Sequence, residues 1–279
     1  MLCASSDVRL PVKRKARRRT IAAREEGRER EIEFLLTCCQ HVDSSLLMEA
    51  PKRREMSRDQ FDSMRDVGLA ILVMTSNAFD VSSRTFVLAS KIFDKYLEAA
   101  ISIGAEEQLP TPTPDTHHAT AQSMEIPLAC FVLACKFVET YALRLIDVVG
   151  IVDNSVTAHT LHAAENTVLD VLGWDIDLIT GLDVLDKLLC RATPFKASML
   201  RDKAELFIKV ACCSQNLAKV SPGEVAVGVL LFACEQQELA ADFLDFVPNF
   251  MMTDAAQRWR EMFKAFVSDL RPTEQASTN

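Results

Sequence analysis

The chain has 279 residues, 49% of them hydrophobic and only 8 of them glycine, which is enough for two compact helical domains with tails. No apolar run approaches the ~20 residues that cross a bilayer, so no membrane partner is expected. The formal net charge is −8. Residues 9–30 carry +7 and Asp7 carries −1, so residues 31–279 carry −14. A body this acidic disfavours nucleic acid as a partner.

Residues 1–28 are polar and basic, and we expect a disordered tail because they cannot bury apolar surface. They contain a basic run typical of nuclear import signals: Lys13, Arg14, Lys15, Arg17, Arg18 and Arg19. A solvated tail without a targeting role is the alternative. The first 20 residues hold no apolar secretory core, and the nine cysteines are scattered and odd in number. We therefore expect reduced thiols and localisation to nucleus and cytoplasm.

Residues 29–57 form an N-terminal helix region that is expected to dock on the body of the protein. Within it, residues 29–50 place apolar side chains on one helical face: Ile32, Leu35, Leu36, Cys39 and Val42. Two further helices are predicted over 58–73 and 85–103. Gly68 lies inside the first of these and is predicted to weaken it by up to ~1 kcal/mol relative to alanine.

A proline-rich loop is predicted between residues 105 and 125. Its centre, residues 110–118, reads PTPTPDTHH and is predicted not to be helical. Thr111 and Thr113 each precede a proline and are candidate sites for a proline-directed kinase. The alternative is a variable, solvent-exposed excursion without a regulatory role.

Two charges between residues 126 and 174 stand in apolar surroundings. Lys136 lies near the end of a run that is apolar on every side, which indicates a helix surrounded by others. Glu165 shares one helical face with Leu161 and Leu169. Because an ionised group in a core costs several kcal/mol unless it is paired, the two charges either meet each other or meet something outside the chain. The alternative is that Lys136 snorkels to the surface and Glu165 is a rim charge.

The rest of the chain is also predicted to be helical. A short helix over 143–150 and a longer one after Thr157 complete a first bundle, 58–180. A second bundle, 181–271, precedes a tail, 272–279. Its helices are predicted near 182–190, 199–218, 223–239 and 255–270. The similarity of CFVLACK at 130–136 to VLLFACE at 229–235 indicates two repeats, the second of them degenerate.

Several ordered motifs resemble the first cyclin box. They are Met64-Arg65 in the first helix, LACKFVE over 133–139, DNSVT over 153–157 and ENTVLDVLGW over 165–174. The resemblance spans residues 30–240, and the DNS turn and the GW pair are most similar to D-type cyclins. It implies an all-α cyclin fold of two helical bundles, in which a five-helix cyclin box is followed by a shorter, degenerate second box.

The resemblance also implies a function. A cyclin is a regulatory subunit that binds and activates a cyclin-dependent serine/threonine protein kinase in cell-cycle control, and it performs no chemistry itself. By resemblance, Lys136 and Glu165 hold the regulatory helix of the kinase. Apolar contacts would come from Leu133, Phe137, Leu169, Trp174 and Ile176. The competing class is a cyclin-fold scaffold or transcription-factor-like adaptor that activates no kinase.

Two departures from the family concern substrates. An apolar substrate-docking patch would occupy Met64, Val67, Gly68 and Ile71, but the expected tryptophan is missing and a glycine replaces a large aliphatic residue. The LxCxE motif that D-type cyclins use for a retinoblastoma-type substrate is approached by LTCCQ at 36–40. That segment ends in glutamine and lies on a predicted helix, so we interpret it as core.

The sequence shows no constellation for catalysis. It has no Gly-rich phosphate loop, no HExxH and no paired CxxC. His159 and His162 are three residues apart, but no cysteine or carboxylate set completes a zinc site, so they are predicted to be surface or capping residues. We therefore expect no enzyme activity, no cofactor and no metal.

Overall fold

The computed structural model describes residues 58–103, 116–141, 143–152 and 156–270. These residues form α-helices and short 3-10 segments, and no strand occurs among them. The helices are α1 Arg58–Phe79, α2 Ser83–Ile103, α3 Thr116–Val138, α4 Leu145–Val149, α5 Ala158–Val171, α6 Gly181–Leu189, α7 Pro194–Cys212, α8 Gln215–Ala218, α9 Pro222–Gln236 and α10 Asp254–Leu270. The 3-10 segments are Gly150–Val152, Ala241–Leu244 and Asn249–Met251.

Several predictions fall outside the described residues. They concern the basic run at 13–19, the amphipathic helix at 29–50, the LTCCQ segment, Thr111 with Thr113, and the tail at 272–279.

Each bundle is built around one central helix. In the first bundle α3 packs against α1, α2 and α5, and all of residues 128–135 are buried. In the second bundle α9 packs against α6, α7 and α10, and most of its residues are buried. A helix that is enclosed on all sides must be apolar on all sides, which explains why the similar segments 130–136 and 229–235 lie in these two helices. The predicted all-α architecture of two helical bundles is confirmed.

Side-chain caps mark the starts of α5 and α6. Thr157 caps α5 by accepting the Thr160 N–H at 3.1 Å, and the Thr160 hydroxyl accepts the Thr157 N–H at 3.1 Å. Thr180 and Asp183 form the same reciprocal capping box at the start of α6. Such boxes satisfy amide groups that a helix leaves without partners at its first turn. The predicted helix after Thr157 is therefore confirmed.

The predicted loop between 105 and 125 is wrong from Thr116 onwards, because α3 begins there. The last three residues of PTPTPDTHH are thus helical, since no proline or glycine occurs between Pro114 and Pro127. Pro127 lies inside α3 and does not end it. The proline is buried, and its Cγ lies 3.2 Å from where a Cβ on Gly68 would sit.

A buried arginine joins the two bundles. Arg65 in α1 is 1% exposed, and its Nε donates to Asp94 Oδ1 in α2 at 2.7 Å. Its Nη2 donates to the Cys212 carbonyl at the end of α7 at 2.9 Å. Lys91 adds a second link, because its Nζ donates to the Ala218 carbonyl at 2.6 Å. Side chains of the first bundle therefore satisfy carbonyls at helix ends of the second.

The described region shows neither a disulfide nor a membrane helix. The cysteines at 130, 135, 190, 212, 213 and 234 are free thiols. Burial raises the pKa of Cys135 and of Cys212 to about 12, so both stay neutral and pack as small apolar residues. No described helix is long and apolar enough to cross a bilayer, and no described group of three or more His, Cys, Asp or Glu residues could hold a metal ion.

Candidate functional site

Lys136 and Glu165 meet across α3 and α5. The Lys136 Nζ lies 2.5 Å from Glu165 Oε1. The Glu165 side chain is only 2% exposed, whereas that of Lys136 is 44% exposed. The burial of Glu165 excludes the alternative that it is a rim charge. The pair is therefore closed at the carboxylate and open to solvent at the ammonium.

The second oxygen of the Glu165 carboxylate faces a histidine. His162 Nδ1 lies 3.3 Å from Glu165 Oε2, one helical turn away on α5. The His162 side chain is mostly exposed, and His159 is exposed as well, so the prediction that both are surface residues is confirmed. Both oxygens of the buried carboxylate thus have a nitrogen partner, which fixes its orientation.

The helix end at Lys136 supports a cation and presents apolar neighbours. Lys136 lies in the last turn of α3, where the helix dipole favours positive charge. Leu133 and Leu169 are buried on the packed helices α3 and α5, whereas Phe137 is 52% exposed. Phe137 directly follows Lys136, so an exposed ring lies beside the exposed ammonium in the chain.

Trp174 lies on a strained turn at the end of α5. The backbone N–H of Trp174 donates to the Leu169 carbonyl at 2.8 Å, and the backbone N–H of Gly173 donates to the Asp170 carbonyl at 3.2 Å. These two bonds form the Schellman pattern. Gly173 has φ +59°, and Trp174 continues the left-handed turn at φ +66°. A bulky residue rarely adopts this conformation. The turn holds the Trp174 side chain 68% exposed, while Ile176 after it is half-buried.

Among the exposed apolar residues that sequence reasoning missed, two follow the helix of Lys136 in the chain. Tyr141, just after α3, is 86% exposed, and Ile146 in α4 is 63% exposed. Neither belongs to a periodic pattern, so only their position after the helix of Lys136 could have drawn attention to them.

A cleft lies between the end of α3 and the second bundle. Its volume is about 630 Å³, and its walls come from α2, the end of α3, the segment before α6, and α6. Phe137 and Leu178 are among the apolar lining residues. Arg84 on α2 links the two bundles at the wall of the cleft, because it pairs with Asp183 on α6 at 2.7 Å and also contacts Asp186. Periodicity gave no signal for this cleft because its wall is assembled from distant segments.

The four predicted substrate-docking positions divide between surface and core. Val67 is 48% exposed and Met64 is half-buried, whereas Ile71 is buried. Gly68 is also buried, and a Cβ added there would lie 2.2 Å from the Phe93 ring. The glycine is thus required by close packing of α1 on α2, and the docking role of this set remains a prediction.

Comparison with known proteins agrees with this architecture. The model of the cyclin N-terminal domain matches residues 37–177, just over half of the chain. The chain belongs to the cyclin family. It is 24% identical over 186 residues to the G2/mitotic-specific cyclin-A of Hydra viridissima, which covers 66% of this chain and 40% of that protein. It is 25% identical over 214 residues to the G1/S-specific cyclin-D2 of Rattus norvegicus, covering 76% of this chain and 67% of that protein.

Solved structures show the same fold at low identity. The X-ray structure of a viral cyclin from herpesvirus saimiri superposes with a TM-score of 0.56 at 19% identity, covering 76% of this chain and 87% of the viral chain. A chain of the CAK complex of Chaetomium thermophilum bound to ATP-gamma-S superposes with a TM-score of 0.53 at 11% identity, covering 84% and 74%. The cyclin resemblance found in the sequence motifs is confirmed.

Proposed function

We propose that this cyclin is the regulatory subunit of a cyclin-dependent serine/threonine kinase, that Lys136 binds the regulatory helix of that kinase, and that the buried Glu165 holds Lys136 in place. The observation that supports this most is the asymmetry of the pair, in which Glu165 is 2% exposed and Lys136 is 44% exposed. An ammonium has three donors, and Glu165 Oε1 accepts from it on the buried side. The exposed side of the Lys136 ammonium can then donate hydrogen bonds to carbonyls of a partner helix.

Exposed apolar residues supply the rest of the proposed interface. Phe137 and Trp174 are each more than half exposed, and aromatic residues are enriched among those that dominate binding energy. The left-handed backbone of Trp174 costs of order 1–3 kcal/mol, and strain of this kind is concentrated at functional sites. Binding would bury these rings and remove water from around the Lys136 ammonium.

Activation would follow from differential binding. A kinase needs its internal Lys–Glu ion pair and an ordered activation loop before it can transfer phosphate. If the cyclin binds only the active position of the regulatory helix, it shifts the population of the kinase by its difference in affinity for the two positions. The cyclin itself performs no chemistry, so activity would saturate at one cyclin per kinase.

The test is calorimetric binding to a panel of cyclin-dependent kinases. Lys136→Ala should weaken binding by the ~2–5 kcal/mol typical of a desolvated charge at an interface. Trp174→Gly should weaken binding without lowering stability, because glycine accepts the left-handed backbone. Phe195→Ala is the matched control, since Phe195 is 67% exposed on the second bundle and should leave the affinity unchanged.

Two outcomes would contradict the proposal. If the folded wild-type chain binds and activates no member of the panel, the scaffold function is favoured instead. If Phe195→Ala weakens binding as much as Trp174→Gly does, the interface has been assigned to the wrong surface.

The proposed cellular context rests on residues outside the described ranges. We keep nuclear import through the basic run at 13–19 as a proposal, and imaging of a chain that lacks residues 1–28 tests it. A retinoblastoma-type substrate remains a prediction.

A further inference from the structure

The turn that carries Trp174 presents an exposed ring on a strained backbone. The backbone of Trp174 is left-handed, with φ +66°, while 68% of the side chain is exposed. A bulky residue stays in this conformation only where the surrounding structure imposes it. The bonds to the carbonyls of Leu169 and Asp170, together with a bond of 3.1 Å from the Asp175 N–H to the Leu172 carbonyl, restrain the turn from the side of α5.

A lysine of α2 holds the residue that follows Trp174. The Nζ of Lys95 donates to Asp175 Oδ2 at 2.7 Å and to the Asp175 carbonyl at 3.3 Å. An ammonium has three donors, so one cation holds the side chain and the backbone of Asp175 together. That carbonyl belongs to the peptide group that leaves the turn, and Lys95 therefore restrains the backbone on the side away from α5.

Lys95 projects from a rigid part of the first bundle. Its neighbour Asp94 accepts from the buried Arg65 at 2.7 Å, and its other neighbour, Tyr96, is 2% exposed. The backbone of α2 is thus fixed to the core on both sides of the lysine, and α2 also packs against α5. A contact from Lys95 consequently ties the turn to the body of the bundle.

The ion pair between Lys95 and Asp175 is open to solvent. The side chain of Lys95 is 37% exposed and that of Asp175 is 67% exposed. Exposed pairs of this kind are screened by water and salt and contribute little to the free energy of unfolding. The consequence of the pair is local, because it limits how the turn moves, and a binding residue that is ordered beforehand loses less conformational entropy when a partner arrives.

We propose that Lys95 is a positioning residue of the kinase interface, whose two bonds to Asp175 hold the turn that presents Trp174. This role rests on the proposed function, in which Trp174 contacts the kinase. Lys95 acts through the turn and needs no contact with the kinase of its own. Loss of its ammonium should therefore loosen the Trp174 ring in the free protein and weaken binding.

The first test is made on the free protein by time-resolved fluorescence anisotropy. The chain has two tryptophans, and Trp259 is 1% exposed, so nanosecond motion of a tryptophan ring is assigned to Trp174. Trp174→Gly should remove this fast component of the decay. Lys95→Ala should increase its amplitude, whereas Lys203→Ala, which removes an exposed lysine on α7, should leave it unchanged.

The second test is calorimetric affinity for the kinase that the wild-type chain binds most tightly. Lys95→Ala should raise the Kd by about 2- to 10-fold, the range expected when one side chain must be ordered on binding. Lys95→Arg keeps a donor for both acceptors and should retain the wild-type affinity, as should Lys203→Ala. In the Trp174→Gly background, Lys95→Ala should cause no further loss, because no ring is left to position. Urea denaturation of Lys95→Ala should match the wild type.

Three outcomes would count against this role. An anisotropy decay that Lys95→Ala leaves unchanged overturns it, whatever the affinity. An equal loss of affinity in the wild-type and Trp174→Gly backgrounds also overturns it, since Lys95 would then act without Trp174. A wild-type chain that binds no kinase overturns the proposed function and the interface role with it, whereas the anisotropy decay separately shows whether Lys95 restrains the turn.

Discussion

Two ion pairs of the first bundle have the same chemistry and different surroundings. Arg65 pairs with Asp94, and Lys136 pairs with Glu165, and in each pair the cation precedes the acid by 29 residues and lies on another helix. Arg65 is buried and also donates to a carbonyl of the second bundle, whereas the Lys136 side chain is 44% exposed. Burial of the Arg65 guanidinium keeps the first pair out of reach of a partner protein. Exposure of the cation, and not the presence of the pair, therefore distinguishes a structural contact from a candidate interface.

Removing the acid from each pair should give the largest difference. Asp94→Asn leaves the Arg65 guanidinium buried without its counter-charge, and breaking a buried pair in this way costs ~3–5 kcal/mol of the free energy of unfolding. Glu165→Gln leaves Lys136 an ammonium that water can solvate, so the loss should be below ~1 kcal/mol. Urea denaturation of both variants measures this. Equal losses would mean that exposure of the cation does not separate the two pairs.

Gly68 lies one turn after Arg65 on α1, and a substitution there tests how closely α1 packs on α2. Gly68→Ala places a Cβ 2.2 Å from the Phe93 ring, and overpacking of this kind costs ~1–3 kcal/mol, more than the up to ~1 kcal/mol that alanine gains in a helix. Chemical denaturation should show a net loss of stability. Gly150→Ala is the control, since no heavy atom lies within 4 Å of its added Cβ; a stabilised Gly68→Ala variant would contradict the close packing.

Glu139 is a third interhelix contact of this bundle, and it should have the smallest effect. Its carboxylate accepts from the Thr85 hydroxyl and from the Ser82 N–H at the start of α2. The hydrogen bond from Thr85, followed by that from Ser82, holds the pKa of Glu139 below its ordinary value of 4.5. A lowered pKa adds stability above pH 4.5, and this stability is lost as the pH falls through the folded-state value.

The measurement is stability against pH for the wild-type chain and for Glu139→Gln. The wild type should lose stability relative to the variant as the pH falls below 4.5, and the two curves should run parallel above about pH 6. If the two curves stay parallel through the acid range, the Glu139 carboxylate does not stabilise the contact with the start of α2.

The charges that stand out in the sequence were informative to different degrees. Lys136 and Glu165 were singled out because each interrupts an apolar pattern, and the structure brings them together. Arg65 entered the sequence reasoning only through the Met64-Arg65 motif, and its pairing with Asp94 was not foreseen. Glu139 was quoted within a motif, and nothing in its spacing indicated that it accepts from the start of α2, because that contact depends on how α3 meets α2.

The class of the fold, the two central helices and the two charges of the candidate site could be predicted from the sequence. These follow from local spacing and from the requirement that an enclosed helix be apolar on all sides. Three features could not be predicted in this way: the burial of Glu165 beside an exposed Lys136, the close packing of Gly68 on the Phe93 ring, and the cleft beside Phe137. Burial and cavities depend on which segments meet in space, and the spacing of residues along one helix carries no information about the other side of such a contact.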